Sequence, residues 1–252
     1  MEALLIIAAV FVGFSNGAND NFKGFATVWG SDTLPYRQAL TLATIATILG
    51  SLMSLGLSQS LIQQFSGKGL VPAEVAANST FILSVALAAA STVLVATRMG
   101  LPVSTTHALI GGLVGAGLAT GGGIVYFTPK LAALLVAARL IGAKTSIVVI
   151  AVVMAVGGLL YARRVAQTMS QRMDQMDHVQ GLVANVITAG LVIFASKLGM
   201  PVSTTQVSVS SIAGTGFASN TVNWATLRGI LLSWAGTLPV AAVIAYLLAH
   251  IL

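Results

Sequence analysis

The chain has 252 residues, of which 56% are hydrophobic and only 7% charged, with a mean hydropathy of +0.94. A soluble domain needs roughly a quarter of its residues charged to solvate its surface, so eighteen charged side chains leave lipid as the solvent for most of this one. The net charge of +6 is scattered, with no basic tract or aromatic platform for nucleic acid, and the absence of cysteine excludes disulfides, thiol catalysis and cysteine metal sites.

Several of the charge-free runs Gln38–Gly67, Val75–Thr97, Met99–Pro129, Thr145–Ala162, Leu198–Leu227 and Gly229–Leu252 reach or exceed the roughly 20 residues a helix needs to cross a bilayer. They are continuous and rich in Ala and Leu, without the ten-residue alternation of a membrane barrel. The expected fold is an all-α polytopic membrane protein, surrounded by lipid. Taken in chain order, helices are predicted near 3–15, 38–58, 75–98, 131–142, 145–166, 181–198 and 223–250. Met1-Glu2 offers no basic leader, so the first hydrophobic segment is read as retained.

The first helix runs into a polar break, SNGANDNFKG (Ser15–Gly24). Asp20 is the only acid between Glu2 and Asp32, and an ionisable group at membrane depth is a functional candidate with a partner to be named. Gly17 lets the helix unwind and expose carbonyls, while Asn16, Asn19 and Asp20 supply oxygens suited to a hard cation. Lys23 stands three residues after Asp20 and can neutralise it within one turn. The bland alternative is an interfacial turn with a snorkelling lysine. Four amide or acid groups joined to two glycines favour function.

The next break is GLPVSTTH (Gly100–His107), and it recurs 99 residues later as GMPVSTTQ (Gly199–Gln206). The match extends over Val93–Gly117 and Val192–Gly216, with Arg98 paired to Lys197, which reads as a duplication. A weaker match sets NFKGFAT (Asn21–Thr27) beside TPKLAAL (Thr128–Leu134), so Lys130 mirrors Lys23. The units are 1–126 and 127–252. Counting basic residues, the loop Ser58–Ser79 has one and Arg163–Gln180 has three, which places the second in the cytoplasm and the first outside. That is the pattern of inverted-topology repeats, whose sites lie near the midplane between the copies. QTMSQRMDQMDHVQ (Gln167–Gln180) is expected as a short interfacial or loop segment.

A proline suits the first turn of a helix, where its missing N–H costs nothing. A helix starting at Pro102 or Pro201 presents free N–H groups, the positive end of its dipole, and the hydroxyls of Ser104, Thr105 and Thr106 or Ser203, Thr204 and Thr205. Several donors at once suit a tetrahedral oxyanion. Capping or close packing by small hydroxyl residues is the ordinary alternative. Two matching copies favour the anion site. GGLVGAGLATGGG (Gly111–Gly123) and GTG (Gly214–Gly216) suit close helix approach and lack the ending of a nucleotide loop.

At these residues the chain resembles the inorganic phosphate transporter (PiT) family, through NGANDNFKG and the paired Pro-Val-Ser-Thr-Thr strings, over most of its length. The resemblance implies an inverted-repeat fold with broken helices and re-entrant hairpins, carrying phosphate, or sulfate in a related permease, usually with Na⁺ or H⁺. It places Asn19 and Asp20 at the ion and substrate centre and the six hydroxyl residues around the anion. A second copy of the chain is a candidate partner, and the cytoplasmic membrane of a prokaryote the expected location. The family pattern has asparagine where Lys23 stands; a tethered ammonium there, and at Lys130, would replace bound sodium, so transport is expected to persist without it. A closing helix of the first unit and an opening helix of the second are not found, which points to a deletion near Gly123–Phe127. An uncoupled oxyanion channel is the second reading. A membrane-embedded hydrolase ranks last, since neither hydroxyl string has a nearby general base, and no enzyme activity or cofactor is expected.

Overall fold

The computed structural model describes residues 1–57, 75, 78–120, 143–198 and 202–252, and among these it is helical throughout, with no strands. Lys130, the expected helix 131–142, the junction Gly123–Phe127, most of the loop Ser58–Ser79 and the second proline, Pro201, lie outside the described residues. Among the described residues, four helices are long and apolar enough to span a bilayer by length and composition, and a bent pair would make a fifth.

Helix α1 (Glu2–Asp20) runs past the expected stop at residue 15 and carries Asn16, Gly17, Asn19 and Asp20 in helical conformation. The helix does not unwind at Gly17; the break comes after Asp20, in a 3₁₀ turn over Lys23–Phe25 followed by the short helix α2 (Ala26–Gly30). Gly17 is needed for close approach instead. A Cβ there would sit 2.0 Å from the Met154 carbonyl oxygen, and one at Gly157 would sit 2.2 Å from that of Phe14. Both contacts belong to the crossing of α1 with α6 (Ala143–Tyr161). Small residues let helix backbones touch where lipid supplies no hydrophobic drive.

Helix α3 (Tyr36–Leu57) packs on α6 and is tied to the α1 break by Asn21, which donates to Thr44 Oγ1 at 3.0 Å and accepts from Thr47 Oγ1 at 2.6 Å. Helix α4 (Ser79–Arg98) starts at the Asn78 cap, whose side chain accepts from the amides of Thr80 and Phe81. It ends where Gly100 adopts φ +76°, with Gly100 N–H on Thr97 O and Leu101 N–H on Ala96 O. That pair of bonds is the left-handed C-terminal closure glycine favours. The chain then reverses into α5 (Thr105–Thr120), making the first hairpin. The close packing expected of the Gly-rich run is found on α10 (Trp224–Ile251): a Cβ at Gly111 or Gly115 would lie 2.2 Å or 1.9 Å from the carbonyl oxygens of Leu238 and Ala242.

Helix α6 bends by 63° at Ala162 rather than running straight to residue 166. Arg163–Gln167 continue as the short helix α7, and the segment expected as interfacial or loop, Gln167–Gln180, opens instead with a π-helical turn (Thr168–Arg172), packed inward by Met169, Met173 and Met176. Apolar methionines rather than its charges decide its place. Helix α8 (His178–Lys197) and α9 (Thr204–Ser219) form the second hairpin.

Candidate functional site

The two hairpins turn their helix N-termini to one place. Ser104 Oγ accepts from the amide of His107 and Ser203 Oγ from that of Gln206, each at 3.3 Å, so both serines cap their helices in the same way. Extended backbone at Ser203 (φ −79°, ψ 112°) fits this cap. Ser104, Thr105 and Thr106 from the first hairpin and Ser203, Thr204 and Thr205 from the second line a single cavity of about 320 Å³ with Asn16 and Asp20 of α1. Ala9, Val12 and Gly13 of α1 and Ile150 and Met154 of α6 form its apolar wall. At roughly 30 Å³ per water, it has room for a small oxyanion and several waters.

Within the cavity Thr105 Oγ1 donates to Asn16 Oδ1 at 2.6 Å, which joins α1 to the start of α5. Beneath it, buried Lys23 reaches three oxygens on three segments. Its ammonium donates to the Asp20 carboxylate, to the Val103 carbonyl at 2.9 Å, and to Thr205 Oγ1. Thr205 in turn donates to Val103 O at 3.0 Å. Lys23 thus holds α1 and both hairpins together, and its charge balances the one acid on the cavity wall.

Asn19 stands apart from the other site residues expected from the sequence. It is fully buried and outside the cavity lining, donating to Thr97 Oγ1 at 2.8 Å and Leu101 O at 3.1 Å and accepting from Val103 N–H at 3.1 Å. These three bonds fix the entry of the first hairpin. Trp234 adds a second fixture by donating from Nε1 to Pro102 O at 2.8 Å. Neither Trp234 nor Thr97 drew notice in the sequence, because an anchor to a backbone carbonyl leaves no motif. Arg98 and Lys197 are exposed, with Arg98 over the Tyr161 ring and its carbonyl receiving Arg164.

The profile of the phosphate transporter family matches residues 16–153 and 144–245. The chain belongs to that family. Among similar proteins, one of Mycobacterium bovis that bears the name of a phosphate permease is 39% identical over 127 residues, covering 48% of this chain and 22% of that protein. The chain therefore spans about a fifth of such relatives. A Bacillus subtilis protein named as a low-affinity inorganic phosphate transporter is 23% identical over 317 aligned positions, covering 96% of this chain and 94% of that one. Those positions outnumber the residues here, so the relative carries extra sequence inside the matched span. A solved sodium-dependent phosphate transporter superposes with a TM-score of 0.81 over 99% of this chain and 98% of that chain at 20% identity, a likeness of fold.

Proposed function

We propose that this family member is a secondary transporter of an inorganic oxyanion, phosphate before sulfate, working by alternating access between two inverted repeats in the cytoplasmic membrane of a prokaryote. The observation that carries the reading is the convergence of both Ser-Thr-Thr strings with Asp20 on one cavity. The phosphate named for relatives in bacteria supports the substrate and the membrane.

The anion binds between the starts of α5 and α9. Each helix end offers about half a positive charge together with N–H groups that have no intrahelical partner. The threonine hydroxyls complete a shell of donors that replaces water around the anion. Asp20 would repel this guest if left bare. Lys23 cancels its charge, so the cavity is close to neutral before the anion enters and no strong countercharge traps it. Asn19 serves by position, holding Val103 where Lys23 and Thr205 meet it.

The solved neighbour is named as sodium-dependent. In this chain the carboxylate, carbonyl and hydroxyl oxygens suited to such an ion are taken by Lys23. Sodium does not fit the site while that ammonium is in place. A proton fits better as the coupling ion: on Asp20 it would release the Lys23 charge toward the anion, so proton and anion would enter together. The test is uptake of radiolabelled phosphate into proteoliposomes under imposed H⁺ and Na⁺ gradients separately, with sulfate as competitor. Accumulation should follow the proton gradient without sodium. Strict sodium dependence would remove the coupling scheme, uptake that never exceeds equilibrium would indicate a channel, and preferred sulfate would change the substrate.

A further inference from the structure

A second cavity, of about 490 Å³, lies on the other side of Lys23, between the α1 break, α3 and α8. Asp20 and Thr204 line both cavities. The first extends from Asp20 back along α1 to Ala9, about 16 Å of helix at 1.5 Å per residue, and the second extends forward through Asn21 to Phe25. Where the two linings meet, among the described residues, stands the cluster of Lys23, Asp20, Thr205 and the Val103 carbonyl.

The second cavity has the chemistry of a wet path. Helix α8 leaves Val183, Val186, Ile187 and Leu191 exposed, three of them along a cleft against α9, and it gives Asn185 and Thr188 to the cavity. Both are half-buried, and neither side chain has a hydrogen-bond partner among the described residues. Thr47 and Ser208 face the same space from α3 and α9. Polar groups at membrane depth turn to a water-filled cavity rather than lipid, and unpartnered amide and hydroxyl groups need water or a passing solute.

We propose that the two cavities are the two ends of one anion path and that the Lys23 cluster is the barrier between them. The oxyanion leaves the threonines of the first cavity, passes the Lys23 ammonium, and is received by Asn185 and Thr188. The inference rests on the transport reading given above, and it assigns the second cavity to the same substrate.

The chain has no cysteine, so single thiols report without background. Ala9→Cys in the first cavity and Ala189→Cys in the second would be reconstituted, after each elutes as a single species, and treated with a charged, membrane-impermeant thiosulfonate from one face or the other. The two thiols should react from opposite faces. Reaction of both from the same face, or no reaction of Ala189→Cys from either, overturns the path. Sidedness is read whether or not phosphate is the substrate, so its failure is distinguishable from failure of phosphate uptake. A second variant, Thr188→Val, keeps the shape and deletes one hydroxyl; it should slow phosphate uptake about tenfold, the worth of one lost hydrogen bond. An unchanged rate removes the second cavity from the route.

Discussion

The two hairpins share a sequence and a cap but not an environment. Two-thirds of the most apolar stretch of α4 is buried (67%), against 17% for α8. The first hairpin is fixed from three directions: Asn19 holds Leu101 and Val103, Trp234 holds Pro102, and α10 lies against Gly111 and Gly115. In the second hairpin the position matching Gly115 is Gly214, around which a Cβ would meet nothing within 4 Å among the described residues, although one at Gly216 would lie 2.6 Å from Asp174. Its Thr205 reaches across to Lys23 and Val103. Duplicated motifs thus end in different surroundings, the first hairpin gripped along more of its length than the second.

The largest expected effect comes from matched glycines. Gly115→Ala places a methyl 1.9 Å from the Ala242 carbonyl and must push α10 away, so it should lower stability by several kcal/mol, about 3 or more, as overpacked cores do. Gly214→Ala should stay within about 0.5 kcal/mol, like other substitutions without close neighbours. Thermal unfolding in detergent measures both, and equal losses would erase the contrast.

Next come the polar ties. Asn19→Ala leaves Val103 N–H and Thr97 without their buried partner and should cost about 1–3 kcal/mol for each group stranded. Thr205→Val strands one N–H of the buried Lys23 ammonium and should cost about 1–3 kcal/mol, and it should slow phosphate uptake more than tenfold, because it cuts the tie between halves and a cavity donor together. A melting temperature that falls as far for Thr205→Val as for Asn19→Ala would mean the second hairpin is as firmly built in as the first. The mildest of the polar changes is a control: Ser104→Ala and Ser203→Ala each lose one cap at 3.3 Å and should each cost about 1 kcal/mol in the same melts.

Much of this arrangement was legible before folding. The membrane class followed from scarce charge, α10 was expected over 223–250 and is found at Trp224–Ile251, and the six hydroxyl residues were singled out by their repetition. Asp20 and Lys23 were paired by spacing alone, and they do form an ion pair. The misplaced features have a common cause. Gly17 and Asn19 carry the residue types of an unwound ion site, but a partner helix claims Gly17 and the Val103 amide N–H of the first hairpin claims the Asn19 oxygen. The methionine segment after Ala162 has loop-like charges, yet its Met169 and Met173 side chains are fully buried. Asn185 and Thr188 carried a readable signal, two polar residues three apart on an apolar helix, which gains meaning only from the cavity they face.

The sequence by itself determined the solvent, the helical class, the duplication and the inventory of donors, because hydropathy and repetition are properties of the chain read along its length. Only the tertiary structure decided which oxygens Lys23 would hold, which asparagine would line the cavity and which would serve as an anchor, and that the two copies would differ in how tightly they are gripped. Those outcomes depend on groups 80 to 182 residues apart meeting at hydrogen-bond distance, and no local pattern encodes which of several competing partners arrives first.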